Sequence, residues 1–291
     1  MHYADYKTIL SAQNGFNLYR GCTHGCIYCD SRSECYQMDH DFEDIEVKRN
    51  AVSILDAQLK KKRTPCMVGT GAMSDPYIPL EEELNVTRQC LELIANYGFG
   101  LTIQSKSARI LRDLDLFKAI NKKTKCVVQL TVTTFNDDLS RILEPNVSTT
   151  SERLDVFDAL REERIPTVAW LSPILPFIND TEENLRLILK RLFRANVRGI
   201  ICFGFGVTMR DGNREYFFNQ LEANFPGLKE KYIKTYGNLY NCISPYSAQL
   251  EDIFIRECRK QGVMCTPVET FSYLRKFEKK SNQQLSFYGL D

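Results

Sequence analysis

A chain of 291 residues, 43% hydrophobic and 26% charged, has the length and composition for one large α/β domain with a substantial core, and nothing in it marks a second independent domain. A formal net charge of +1 gives no global attraction for nucleic acid, and the basic run Lys60-Lys61-Lys62-Arg63 reads first as a solvated helix end. No run approaches the roughly 18 consecutive apolar residues of a membrane span, and the start Met1-His2-Tyr3-Ala4-Asp5 lacks the regions of a signal peptide. The expected location is therefore cytoplasmic, with no membrane partner. There the 11 cysteines are expected as reduced thiols or metal ligands rather than disulfides.

A strand is expected at 16–20. It runs into Gly21-Cys22-Thr23-His24-Gly25-Cys26-Ile27-Tyr28-Cys29-Asp30, where three cysteines fall close together with no fourth at matching spacing. Thiolates are the usual ligands of iron–sulfur clusters, and a triplet leaves one iron of a cubane open. Zinc is the alternative, with His24, His40 and Cys35 as the nearby candidates for a fourth ligand. Gly21 and Gly25 permit the positive φ angles of a tight loop, and Tyr28 sets a flat face beside the last cysteine.

Apolar residues at helical spacing follow at 47–62, ended by Thr64-Pro65, and then a strand, Cys66-Met67-Val68-Gly69. The alternation continues as helix 81–97, strand 100–104, helix 108–121, strand 125–133, helix 150–163, strand 165–171, helix 181–195 and strand 198–205. These β/α units predict a parallel sheet wrapped by helices, and the pattern does not choose between an open doubly wound sheet and a barrel. From about 211 the chain reads as mixed helix and loop, expected to pack across the open side of the core.

Residues just beyond the ends of parallel strands carry the functional prior. After the second strand comes Gly69-Thr70-Gly71-Ala72-Met73-Ser74-Asp75-Pro76-Tyr77, and after the third Gln104-Ser105-Lys106, whose ammonium is a natural point charge for a carboxylate. The fourth strand sends Gln129, Thr131 and Thr133 to one face. Glu144-Pro145 precedes the helix carrying Arg153, and the fifth strand ends in Ser172-Pro173-Ile174-Leu175-Pro176-Phe177-Ile178-Asn179-Asp180. Cys66, Cys90, Cys126 and Cys202 fall in apolar patterns and are expected in the core. Cys242, Cys258 and Cys265 have no compact ligand spacing, and an auxiliary metal there stays an open alternative.

The triplet, with an aromatic before its third cysteine, resembles the cluster loop of the radical S-adenosylmethionine (SAM) enzymes, and within them the spore photoproduct lyase-like group. The resemblance covers roughly residues 14–205. It implies an α/β fold, a partial (β/α)6 TIM-like barrel over 1–210 with a mixed helix and loop extension over 211–291. It further implies a [4Fe-4S] cluster on Cys22, Cys26 and Cys29 whose open iron chelates SAM, and reductive cleavage of SAM to a 5'-deoxyadenosyl radical. The implied electron donor is a protein such as flavodoxin or ferredoxin.

For the SAM site the resemblance implies Tyr28 beside the cluster, Ser74 at the amino group, Lys106 at the carboxylate and Thr131 at the ribose or methionine. Arg153 either orients SAM or buttresses strand four, and Ile174 lies in the stretch that contacts adenine, with Phe177 in place of a usual glycine. Two departures oppose an ordinary spore photoproduct lyase. Ala72 stands where that enzyme has its hydrogen-donating cysteine, and Asp30 stands where it has a tyrosine. Cys35 and Tyr36 are the nearby replacements. The substrate stays unknown, nucleic acid included, and a non-catalytic SAM-binding iron–sulfur sensor is the reading from another class.

Overall fold

The computed structural model describes residues 1–280, and the end of the expected extension, 281–291, lies outside the described residues. Six strands form one parallel sheet in chain order: Gly15–Phe16, Met67–Thr70, Gly100–Ser105, Cys126–Thr131, Thr167–Trp170 and Gly199–Ile201. A doubly wound sheet reverses its strand order at a switch point. Here the order never reverses, and the first and sixth strands are not paired, so the sheet curls into a partial barrel.

Alternation divides the two faces. Val128, Leu130, Leu101, Ile103, Ala169 and Ile200 pack outward with the helices into the main core. Val127, Val168 and Ile201 point into the lumen, and there the Gln129 amide receives the Trp170 indole N–H at 2.8 Å and donates to Thr102 at 2.6 Å. A buried amide with both ends satisfied can line a barrel at little cost.

Several elements differ from the sequence reading. The strand expected at 16–20 is two: Gly15–Phe16 joins the barrel, while Tyr19–Arg20 pairs antiparallel with Glu46–Lys48, which also pairs with His2–Ala4. That second sheet claims residues expected to begin a helix, so the helix is Ala51–Lys61. Asn85, at φ 52°, splits the next into Glu81–Leu84 and Val86–Tyr97. A 3-10 segment, Ala108–Asp113, precedes the helix Leu114–Lys123, and an unexpected helix spans Asp137–Leu143.

The extension does more than cover the open side. Met264 adds to the outer edge of the sixth strand through a parallel bridge to Gly199. The helix Pro267–Arg275 then places Leu274 against Val127, Val168 and Ile201, and the buried Lys125 ammonium donates to the Tyr273 and Lys276 carbonyls at 2.6 and 3.2 Å. This helix plugs the N-terminal end of the barrel. Leu274→Ala is expected to cost about 2–5 kcal/mol, the range for emptying a buried leucine site, read as a lowered midpoint in urea unfolding.

Candidate functional site

All the segments expected to carry chemistry leave the C-terminal ends of the barrel strands and meet there. The cluster loop has almost no regular structure, so its shape comes from what it docks on. Gly21 and Gly25 take φ values of +86° and +70°. A Cβ on Gly25 would stand 3.0 Å from Pro145, because the loop lies directly on the turn after the helix Asp137–Leu143. Backbone bonds lock that docking: Ile27 N–H donates to Leu143 O at 3.0 Å and Asn146 N–H to His24 O at 3.1 Å, while the Asn146 amide donates to Thr23 O at 3.0 Å.

Beneath this contact lies a buried charge cluster. Glu144, 1% exposed, accepts from the Tyr28 hydroxyl and from the guanidinium of Arg153, which is 0% exposed. Arg153 also donates to Ser148 O at 2.8 Å and to Thr131 O at 2.9 Å. Its place follows from local sequence, since Thr149 and Glu152 form a capping box that starts the helix Thr150–Glu162 and sets Arg153 in its first turn. Burial opposes ionisation of Glu144, but Arg153 and Lys106 outweigh it and hold the carboxyl below the ordinary glutamate value. Of the two roles left open for Arg153, the structure supports the buttress: its donors are engaged by the protein and none faces solvent.

A second anchor sits at Asp75. It accepts from Ser105 Oγ at 2.8 Å, Lys106 N–H at 2.7 Å and Tyr77 N–H at 2.9 Å, and His24 Nδ1 stands 3.6 Å away. The turn after strand two is thereby tied to the end of strand three and to the cluster loop. Gly71, at φ +99°, is required in this turn, because a Cβ would come within 2.0 Å of the Gln104 carbonyl oxygen. Ser74 is buried, its hydroxyl donating to Tyr19 O at 2.9 Å.

Lys106 is half-buried, with its ammonium 5.8 Å from the Tyr28 ring centre. Burial lowers its pKa, but Cys26, Glu144 and Cys29 raise it more, so the charged form is favoured. Among the described residues no side-chain or backbone acceptor lies within bonding distance of it. Burial and nearby Asp75 push the Cys22 thiol up to about 12, and Cys26 is raised as well, so a metal's charge is what would deprotonate these ligands. The sulfurs do not gather as ligands of one ion would: the group drawing ligand atoms within 4.8 Å among the described residues is a different one, His2, His40 and Asp44. Nor do His24 and Cys35 complete a zinc site, since His24 faces Asp75 and Cys35 receives Arg210 Nη1 at 3.1 Å.

Three further observations fit a bound polar cofactor above the lumen. Thr133 Oγ and His24 Nε2 are buried with no partner, Thr131 ends strand four two residues before Thr133, and a cavity of about 760 Å³ beneath is lined by Ala72, Gln129 and Trp170 and, from the extension, by Phe271, Leu274 and Arg275. That volume lies in the range of small-molecule sites. Ile174 is 2% exposed and its side chain packs in the main core, leaving only its backbone for a ligand. Phe177 keeps a glycine-like φ of 64°, with its ring packed on Tyr232 at 5.7 Å. Asp30 accepts from the Tyr36 hydroxyl at 2.9 Å and lies 3.4 Å from Arg210, tying the loop to the extension. Cys242 lies in a different core from Cys258 and Cys265, so that trio does not converge. Glu144 and Asp75 are anchors that the sequence pattern did not single out, and the acidic residues of Glu-Pro and Ser-Asp-Pro were the available signal; His24, a candidate zinc ligand by sequence, instead faces Asp75.

Residues 16–192 match the sequence profile described as the Radical SAM superfamily. The chain is 32% identical over 176 residues to an uncharacterized protein of Methanocaldococcus jannaschii, covering 60% of this chain and 65% of that one. It is 27% identical over 228 residues to an uncharacterized protein of Mycobacterium tuberculosis, covering 76% and 66%. The match thus spans just under two thirds of these relatives' own length. The structure resembles a spore photoproduct lyase mutant solved with bound AdoMet and dinucleoside spore photoproduct, with TM-score 0.62 at 16% identity over 86% of this chain and 74% of that one. At that identity the likeness is one of fold.

Arg153→Ala leaves Glu144 as an unpaired buried charge, and is expected to destabilise the protein by about 3–5 kcal/mol. Thermal unfolding checks this, with Glu144→Gln in the same background recovering part of the loss.

Proposed function

This chain belongs to the radical SAM superfamily, and on that premise we propose that Cys22, Cys26 and Cys29 hold a [4Fe-4S] cluster, that Lys106, Ser74 and Thr131 hold SAM beside it, and that the protein is an enzyme acting on a substrate in the barrel lumen. When bound and reduced, this pair supplies a 5'-deoxyadenosyl radical, and the protein's tasks are positioning and exclusion. The observation that carries the reading is Lys106: a half-buried ammonium favoured in its charged form, beside two cluster cysteines, with no acceptor of its own among the described residues. A sensor that only reports cluster redox state needs no such clamp for a carboxylate.

The residues divide the work. Lys106 binds the carboxylate as a point charge and Ser74, on a turn pinned by Asp75, orients the amino group. Thr131 faces the ligand from the strand whose carbonyl Arg153 holds. Tyr28, fixed through Glu144, would stand beside a cluster held by its neighbours Cys26 and Cys29. Ile174 contributes backbone to the adenine end, and Arg153 acts as a positioning residue. The cavity below is the substrate space, and an electron donor such as flavodoxin or ferredoxin would reduce a cluster held by the three cysteines. Among the described residues no helix is long and apolar enough to cross a membrane.

Lesion repair of the spore photoproduct lyase kind is the second reading for the substrate, and the fold is what favours it. Ala72 opposes it. That residue lines the cavity where the lyase keeps a hydrogen-donating cysteine, and a methyl group donates no such hydrogen. Cys35, the nearest replacement by sequence, instead meets Arg210 on the extension.

Anaerobic reconstitution, reduction with dithionite and chromatography are expected to yield 5'-deoxyadenosine from SAM; an intact cluster without cleavage sinks the catalytic reading. Cys26→Ala is expected to abolish the cluster's charge-transfer absorbance. Lys106→Met is expected to keep that absorbance while weakening SAM about ten- to a hundredfold, the equivalent of one hydrogen bond to a charged group, read by equilibrium binding.

A further inference from the structure

Two imidazoles and a carboxylate meet outside the barrel, at the edge of the three-stranded sheet. His2 Nδ1 lies 2.9 Å from Asp44 Oδ2, and the His2 and His40 rings stand edge to face with centres 4.7 Å apart. One ligand atom from each of His2, His40 and Asp44 falls within 4.8 Å of the others. His40 Nδ1 is 3.0 Å from the Asp41 carbonyl oxygen, so Nδ1 carries the proton and Nε2 keeps a lone pair. That Nε2 is buried and has no partner.

A buried lone pair without a donor pays a desolvation cost with no return. An imidazole steadied by a carbonyl through one nitrogen, with the other left bare, has the form of a metal ligand. The second ring is backed in a similar way: His2 Nε2 stands 3.6 Å from Glu46 Oε2, while Nδ1 faces Asp44. The remaining Asp44 oxygen is held by the Met1 amine at 2.8 Å, which leaves Oδ2 to the site.

We propose that His2, His40 and Asp44 bind a divalent transition ion of the zinc class, with water completing the coordination. Two imidazoles and one carboxylate, without thiolate, suit such an ion rather than calcium or magnesium, which favour all-oxygen shells. The ion clips the first strand to the turn Asp41–Asp44, which is closed by Asp44 N–H donating to Asp41 O at 2.9 Å. Within that turn the Phe42 carbonyl accepts from Cys22 N–H at 3.1 Å. The clip therefore steadies the backbone that holds the first cysteine of the triplet. This assignment does not rest on the function proposed above.

The test uses the protein with its cysteine site filled by anaerobic reconstitution, titrated with zinc chloride by calorimetry and with cobalt(II) by absorbance. About one equivalent is expected to bind, with cobalt d–d bands and no added thiolate charge-transfer band. His40→Ala and the near-isosteric Asp44→Asn are each expected to weaken zinc at least about tenfold and to remove the zinc-dependent rise in Tm, while circular dichroism and cluster absorbance stay as in the parent. No saturable uptake overturns the proposal, as do equal uptake by the parent and both variants or a cobalt spectrum carrying a thiolate band.

Discussion

The buried carboxylate of Glu144 is the interaction on which the site depends. A loop of ten residues with little regular structure carries the three cysteines, and its own backbone does not specify its shape. Glu144 ties it down from below through the Tyr28 hydroxyl, and Arg153 in turn holds Glu144. Burying such a pair is costly, and it persists because its donors and acceptors are matched: the guanidinium also reaches two carbonyls. Strand four, the helix Thr150–Glu162 and the cluster loop are thus locked into one unit. Any of the three moving alone exposes a charge to an apolar interior.

The same balance between desolvation and Coulomb attraction sets the state of Lys106. Burial alone favours a neutral amine; the surrounding cysteines and Glu144 tip it the other way. The chain therefore maintains a positive charge at the rim of the lumen without giving it a protein acceptor among the described residues. Below that rim the cavity wall includes the Gln129 amide, already satisfied by Thr102 and Trp170, and Arg275 of the extension.

The extension takes part in both ends of the barrel. At the N-terminal end it sets Leu274 against the inward residues of the barrel, and Lys125 of the barrel donates to its Tyr273 carbonyl. At the C-terminal end Arg210 meets Asp30 and Cys35, and Tyr232 packs on Phe177. The left-handed backbone at Phe177 costs about 1–2 kcal/mol for a residue with a side chain, which the aromatic packing offsets. A glycine there would relieve the strain and lose the contact.

The sequence by itself determined the elements governed by local periodicity and by short motifs. The β/α alternation, the triplet with its permissive glycines, the inward face of strand four and the strand-end positions of Ser74 and Lys106 all follow from spacing within a few residues. Boundaries failed where a distant partner decided them: Tyr19 and Val47 are strand because they pair with each other across 28 residues of chain. The choice of a barrel over a doubly wound sheet, the seal around Arg153 and the hub at Asp75 were decided only by the tertiary structure. So was the meeting of His2 with His40, which the sequence had set beside the cysteines. Each depends on contacts between residues far apart in the chain, and the energy of a buried charge or a strand edge is set by what surrounds it in space, which no local pattern records.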